Sequence, residues 1–457
     1  MLALAALLAA GAMASGGPPP ATGRLVEGLR CQSDPSQTYT LYLPSGFSSS
    51  RRWPALLVLD PRGRSVSAAS LFREAAEAHG WILLSSNDTR SDGPAEPNVK
   101  ALQALWPEVH ERYATDPRRI YAAGFSGTGM AAWDLGRLTG RLAGVIASGS
   151  RWEDEHFGRR ISFPSFGAAG DADFNYAPMK AVHARLREWG TPERFELFEG
   201  PHSWMPAALA GDAIAWMELQ AMKAGLRPTD PALVAARLAE DTRRARALEA
   251  EGRLLAAERR FEAIAATFDG LADVSGARQE AARLAGLPST KAARKEEERW
   301  DRYERATLRR LQDAYRALLA SDPPQPARAF RSEVRLEELA RHGAAPSYEG
   351  VVGRRLLATL ATQTGYYMAR ELLARGDHAR AQSALAVATE AAPGQPALWY
   401  NLACARARLG AKKPALDALE RAVGAGYSDL EHMAKDADLA SLRGEARFEA
   451  LVRAPSP

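Results

Sequence analysis

Cysteine is scarce: Cys31 and Cys404 are the only two in 457 residues, too few for a disulfide framework or a paired-cysteine metal site. An excess of one charge is also missing. The 59 basic and 55 acidic side chains leave a net charge of +4, and they interleave at helical spacing instead of gathering in blocks, so no nucleic-acid footprint follows. There is no HExxH, no phosphate-binding P-loop and no GxGxxG after a strand. Metal, nucleotide and dinucleotide chemistry therefore have no support, and no cofactor is expected.

A membrane-length apolar run is absent as well. The chain opens on MLALAALLAAGAMA, shorter than the roughly 20 residues of a spanning helix. This run ends small-x-small at Ala12-Met13-Ala14 and passes into Ser, Gly and Pro. It reads as a secretory signal cleaved after Ala14, which predicts an extracytoplasmic protein, periplasmic or secreted, with no stable membrane span. The departure from the usual signal is that no charge precedes Arg24. No Cys follows the run, so a lipoprotein anchor is not expected.

What is present is an average globular composition, 46% hydrophobic and 25% charged, which excludes disorder, collagen and coiled coil for the whole chain. At about 150 residues per domain the length predicts two or three domains. From about residue 36 to 225, short apolar runs (39–43, 55–59, 81–84, 120–123, 143–147, 165–169 and 195–198) alternate with amphipathic stretches such as 68–79, 99–113 and 177–189. That alternation predicts a mostly parallel sheet covered by helices. The breaker Leu226-Arg227-Pro228-Thr229-Asp230-Pro231 ends it, and Ala, Leu, Arg and Glu at helical period follow. The expected organisation is residues 1–23 as signal and linker, 24–226 as the α/β domain and 227–457 as an all-helical domain.

Within the helical part, Gly376, Ala381, Leu385 and Ala388 recur 34 residues later as Gly410, Ala415, Leu419 and Ala422, and Pro393, Trp399 and Leu402 fall between them. This register resembles the tetratricopeptide repeat over residues 365–427. A weaker unit repeats its steps at Gly252, Ala257 and Phe261. The charge-dense stretch from Lys291 to Arg310 reads as a solvated helix face.

The stretch from Arg119 to Met130 is a strand that gives way to a helix through Gly124-Phe125-Ser126-Gly127-Thr128. It fits the nucleophile elbow G-x-S-x-G except at its last position, where Thr128 replaces Gly. A serine needs a base, itself oriented by a carboxylate. Of eight histidines only His202, in Gly200-Pro201-His202-Ser203-Trp204, lies in a loop after the last predicted strand. The acid belongs between them, where Gly170-Asp171-Ala172-Asp173 follows a strand. Asp173 is favoured and Asp171 is the fallback.

With Ser126, Asp173 and His202 in this order, residues 36–225 resemble the α/β-hydrolase superfamily. The likeness is to its compact branch of carboxylesterases, feruloyl esterases, polyhydroxyalkanoate depolymerase-like proteins and prolyl-oligopeptidase-type catalytic domains. The stretch 147–162 is too short for a large cap. The resemblance implies an oxyanion hole made by the backbone N–H of Gly127 and one from Asp60-Pro61-Arg62-Gly63-Arg64, at Arg62 or Gly63, although no HGGG run is present. Trp204, Tyr176, Phe125 and Trp152 could line an acyl or aryl pocket, but core packing is the favoured role for each. The implied activity is hydrolysis of a small-molecule or polymer carboxylic ester through an acyl-enzyme, with a peptide or thioester bond as the variant. The competing reading is a protein-binding scaffold in which the helical repeats hold a protein or peptide partner and the hydrolase domain is idle.

Overall fold

The computed structural model describes residues 20–152 and 160–453. The apolar leader, its cleavage point and the middle of the 147–162 stretch lie outside the described residues. The chain divides into two compact units, Met1–Arg294 and Lys295–Pro457.

The first unit contains β1 (Leu25–Arg30), β2 (Thr38–Tyr42), β3 (Trp53–Leu59), α1 (Ser65–His79), β4 (Ile82–Ser86), α2 (Glu96–Pro107), β5 (Thr115–Phe125), α3 (Gly127–Thr139), β6 (Gly144–Ser148), β7 (Ser165–Gly170), α4 (Tyr176–Glu188), β8 (Glu193–Phe198) and α5 (Ala207–Lys223). The strands form one eight-stranded sheet in the order β1-β2-β4-β3-β5-β6-β7-β8. The β1–β2 and β2–β4 pairs are antiparallel and the others parallel. This is the α/β-hydrolase fold that the resemblance implies.

The central strands are continuous apolar runs because both faces are covered. Leu102, Leu105, Trp133, Leu135 and Leu186 from α2, α3 and α4 pack on one face. Phe72 and Ala76 of α1, with Ala213, Ile214 and Met217 of α5, pack on the other. Strand β1 was not expected. Its Glu27, Gly28 and Arg30 are exposed and a bulge interrupts it between Val26 and Leu29, so an edge strand here carries no apolar alternation. The stretch expected to be helical from 99 to 113 leaves α-geometry after Pro107, in a single π turn at Glu108–Arg112. There the buried Glu108 carboxylate accepts bonds from the Gln32 N–H (2.6 Å), the Tyr39 hydroxyl (2.7 Å) and Arg112 (2.8 Å).

Every described element after β8 is helical: α5, then α6 (Pro231–Ala250), α7 (Leu254–Phe268), α8 (Ser275–Gly286) and α9 (Pro288–Ala320). The first compact unit nevertheless extends to Arg294, because α6 and α7 are tied to the last strand. Arg194 of β8 is buried and pairs with Glu196 at 2.7 Å and with Asp241 of α6 at 3.1 Å. Arg260 of α7 grips the same Glu196 at 2.7 Å. Leu219 and Met222 of α5 share a core with Val234, Ala245, Phe261 and Ile264.

The second unit continues α9 and adds α10 (Ala327–Glu333), α11 (Leu336–Gly343), α12 (Tyr348–Thr362), α13 (Ala369–Ala374), α14 (His378–Ala391), α15 (Pro396–Arg408), α16 (Lys412–Gly424), α17 (Leu430–Lys435) and α18 (Ala446–Arg453). Leu318, Phe330, Leu356, Leu385, Leu402 and Leu419 anchor its core. Three turns share one geometry. Gly252, Gly376 and Gly410 take φ of 75°, 74° and 74°. In each turn the next N–H reaches the carbonyl five residues back, Arg253 to Leu248, Asp377 to Leu372 and Ala411 to Arg406, all at 2.9 Å. These are the three glycines that the sequence repeat aligns, but the same turn also ends helices at Gly80, Gly190 and Gly225, with φ of 71°, 68° and 65°, so it is a general helix C-cap.

Candidate active site

Strand β5 ends at Phe125 and α3 begins at Gly127, which leaves Ser126 alone in the turn with φ 55° and ψ −131°. A non-glycine residue at positive φ is strained, and such strain collects at functional turns. The turn closes this tightly because position 124 has no side chain: a Cβ there would stand 2.4 Å from the Thr128 carbonyl oxygen. Thr128, the departure from the elbow pattern, is buried. Its hydroxyl lies 2.6 Å from the Leu59 carbonyl and 2.8 Å from the Phe125 carbonyl, so the threonine fastens the elbow to the end of β3.

His202, between β8 and α5, places Nε2 3.0 Å from Ser126 Oγ. Its Nδ1 lies 2.9 and 3.0 Å from the two carboxylate oxygens of Asp173. Asp173 is fully buried in the loop after β7, and its Oδ1 also accepts the Asn175 N–H at 2.7 Å. Asp171 faces elsewhere and accepts the Gly200 N–H at 3.0 Å, tying the acid loop to the histidine loop. The imidazole lies between Phe125 and Phe174, with ring centroids 4.6 and 4.2 Å away. Ser148 Oγ accepts the Met205 N–H at 2.9 Å and holds the far side of the same loop.

Two contributors carry no sequence motif. Gly149, after β6, has φ 51°, and a Cβ there would meet Asp173 Oδ2 at 2.8 Å and His202 Nδ1 at 3.0 Å. Asn175 donates through Nδ2 to the Gly149 carbonyl at 2.8 Å. Both join segments far apart in the chain, which a local pattern does not register.

The expected second oxyanion donor needs correction. The Gly127 N–H is the first of α3 and has no acceptor within its own helix. The Arg62 N–H, however, donates to Asp60 Oδ1 at 2.8 Å, and the Gly63 N–H donates to the Asp60 carbonyl at 3.1 Å. Neither is free to receive a developing negative oxygen. The cause is Asp60 itself, a buried carboxylate at the end of β3 that also accepts the Arg64 N–H at 3.2 Å and Trp204 Nε1 at 2.9 Å. Burial pushes the Asp60 carboxyl up, but the bonds from Trp204, Arg62 and Arg64 outweigh it and hold the group below the ordinary 3.8.

The aromatic residues proposed for a pocket pack into the core. Trp152 stacks on Trp133 at 5.6 Å, Tyr176 is buried, and Trp204 meets Phe72 edge-on at 6.0 Å. Phe125 flanks the imidazole. The cavity beside the elbow, about 320 Å³, opens instead between α2 and α3, with Gly127 in its wall. Cys31 is no competing nucleophile, since burial pushes its thiol up to about 12. Among the described residues no cluster of three or more metal-ligating side chains occurs, and no helix is long and apolar enough to cross a membrane.

Neither a family model nor a curated protein matches the chain. Solved structures similar to it include a thermostable esterase, at 17% identity over 42% of this chain, with a TM-score of 0.35. A ferulic acid esterase also matches at 17% identity over 42% of this chain, with a TM-score of 0.35. A third is a substrate-bound, fluorophosphonate-binding serine hydrolase of Staphylococcus aureus, at 15% identity over 43% of this chain, with a TM-score of 0.36. The chain spans 60% of the length of the first and 97% and 99% of the other two.

Proposed function

We propose that the protein is an exported serine hydrolase that cleaves carboxylic esters through an acyl-enzyme. The observation that carries this reading is the unbroken relay from Ser126 Oγ to His202 Nε2 at 3.0 Å and from His202 Nδ1 to Asp173 at 2.9 Å, on a nucleophile turn held at positive φ. In this mechanism His202 takes the Ser126 hydroxyl proton as the oxygen attacks the ester carbonyl, and the imidazolium then passes that proton to the departing alkoxide. Water repeats the sequence on the acyl-enzyme and releases the acid. Asp173 fixes the imidazole tautomer with the proton on Nδ1 and stabilises the imidazolium. The Gly127 N–H faces the oxygen on which charge develops, and a donor of this kind typically contributes about 3 kcal/mol to the barrier.

Export follows from the leader ending at Ala14. The helical repeats of residues 365–427, tetratricopeptide-like in their 34-residue sequence register, are assigned to holding a protein or peptide partner. One experiment addresses activity and export together. Cell fractions from an expressing strain are labelled with a fluorophosphonate probe, with the natural chain beside Ser126→Ala. The expected outcome is a labelled band in the extracytoplasmic fraction that vanishes in the variant. A folded natural chain that takes no label removes the hydrolase reading and leaves the repeats as the seat of function.

A further inference from the structure

The cavity beside the elbow has a built polarity, and it bears on which ester the proposed hydrolase takes. Most of its lining is hydrocarbon: Val99 and Leu102 come from one face of α2, and Met130, Ala131 and Leu138 from the facing side of α3, where Asp134 also stands, with Arg90, Asp92 and Asn98 completing the wall. Its near part is polar and small. Gly127, whose N–H is the one unspent oxyanion donor of the elbow, forms the wall next to Ser126. Ser91 stands over that glycine so closely that a Cβ at 127 would lie 2.6 Å from its hydroxyl. The Ser91 hydroxyl is buried and has no hydrogen-bond partner among the described residues. A buried hydroxyl left unpaired in this way is explained when a ligand completes its bond.

Joined to the elbow through Gly127 and lined mostly by apolar side chains, the cavity suits the acyl half of an ester. We infer that it is the acyl pocket, and that the substrates are esters of neutral, apolar acids of about six to eight carbons. The size follows from the volume. The cavity encloses about 320 Å³, room for an acyl chain of medium length. It also lies at the small end of ligand pockets, which rules out a long fatty acyl chain lying fully within it. This inference rests on the serine-hydrolase reading of Ser126.

The test is the acyl-chain profile of p-nitrophenyl esters from acetate to myristate, measured on the full chain and on two variants that change the cavity in opposite directions. In the unaltered protein kcat/KM rises about fourfold per added methylene up to the hexanoate or octanoate, the equivalent of ~0.8 kcal/mol for each buried group, and then falls. Ala131→Leu narrows the space between α2 and α3 and lowers the octanoate-to-acetate ratio by about tenfold or more. Met130→Ala widens it and moves the optimum two to three carbons longer. A variant that does not fold is read through the other, because the two shifts have opposite sign. Profiles that superimpose in fluorophosphonate-labelled variants overturn the pocket and leave the hydrolase intact. So does a preference that follows the alcohol in a series of acetates. A natural protein that neither takes the label nor cleaves any ester overturns both.

Discussion

At the scale of single residues, the site is legible where chemistry needs a local pattern and illegible where it needs two distant segments to touch. Ser126 and His202 stand in turns marked by Gly and Pro, and each residue type has a narrow chemical meaning there. Asp173 is separated from Asp171 only by geometry, since both follow the same strand. Asp60 reads in the sequence as the opening residue of a turn. Only the fold shows that its carboxylate consumes the Arg62 N–H that the resemblance reserves for the oxyanion. Gly149 is the clearest case, because it touches residues 24 and 53 positions away in the chain. Gly149→Ala is expected to press on both Asp173 and His202 and to force an alanine to φ 51°. The misalignment should slow fluorophosphonate labelling of Ser126 about 100-fold, the scale of a displacement near 1 Å, while the melting temperature falls only a few degrees. A variant labelled at the natural rate would show that the Asp173–His202 pair tolerates the added methyl and that its spacing is not set by this glycine.

At the scale of elements, the interior strands announce themselves as apolar runs because each is covered on both faces. Edge strand β1 does not, and at the opposite edge the run 195–198 marks β8 although its burial pattern is mixed. The reason at β8 is that its outer side is closed by charge. Arg194 lies buried between Glu196 of its own strand and Asp241 of α6, and Arg260 of α7 holds Glu196. A sequence pattern does not mark this contact, since a buried Arg looks like any other Arg until its partner is placed. Asp241→Ala removes one counter-ion from a guanidinium that cannot shed its charge, and should lower stability by about 3 kcal/mol. The double variant Arg194→Met with Asp241→Leu should recover most of that loss, because apolar packing substitutes well for a buried pair and Glu196 keeps Arg260. Urea unfolding of the two proteins decides it. A single variant within about 0.5 kcal/mol of the natural chain would mean that Arg194 is satisfied by Glu196 alone and that Asp241 does not pin α6 to the sheet.

At the scale of the whole molecule, the change from α/β to all-helical is legible in composition, but the extent of the first compact unit is not, because it depends on the ion pairs at β8. Other buried titratable groups set how the chain responds to pH. Burial lowers the His79 and His110 imidazoles below their ordinary 6.5, so the fold holds them neutral while the unfolded chain protonates. That contribution is complete above about pH 6.5 and is lost as the pH falls through the lowered values. Three carboxylates act next. For Asp60, Glu193 and Asp212, burial pushes upward but is outweighed by hydrogen bonds from Trp204, from His183, and from Arg244 with Arg237, respectively, and all three lie below their ordinary 3.8 to 4.5. Their stabilisation is present above about pH 4.5 and disappears below it, as the folded state resists protonation that the unfolded state accepts. On the alkaline side the sign reverses. Burial raises Cys31 from 9.0 and Tyr113 from 10.0, each to about 12, and it raises Tyr39 further. The unfolded chain then loses protons first, and stability drops from about pH 9 upward. Thermal melts across pH 3 to 11 should therefore give a plateau between about pH 7 and 9, a shallow decline to pH 5, and a steep one below pH 4.5. A melting temperature that rises on acidification from pH 6 to 4 would show that the buried imidazoles and carboxylates are not held as this packing requires.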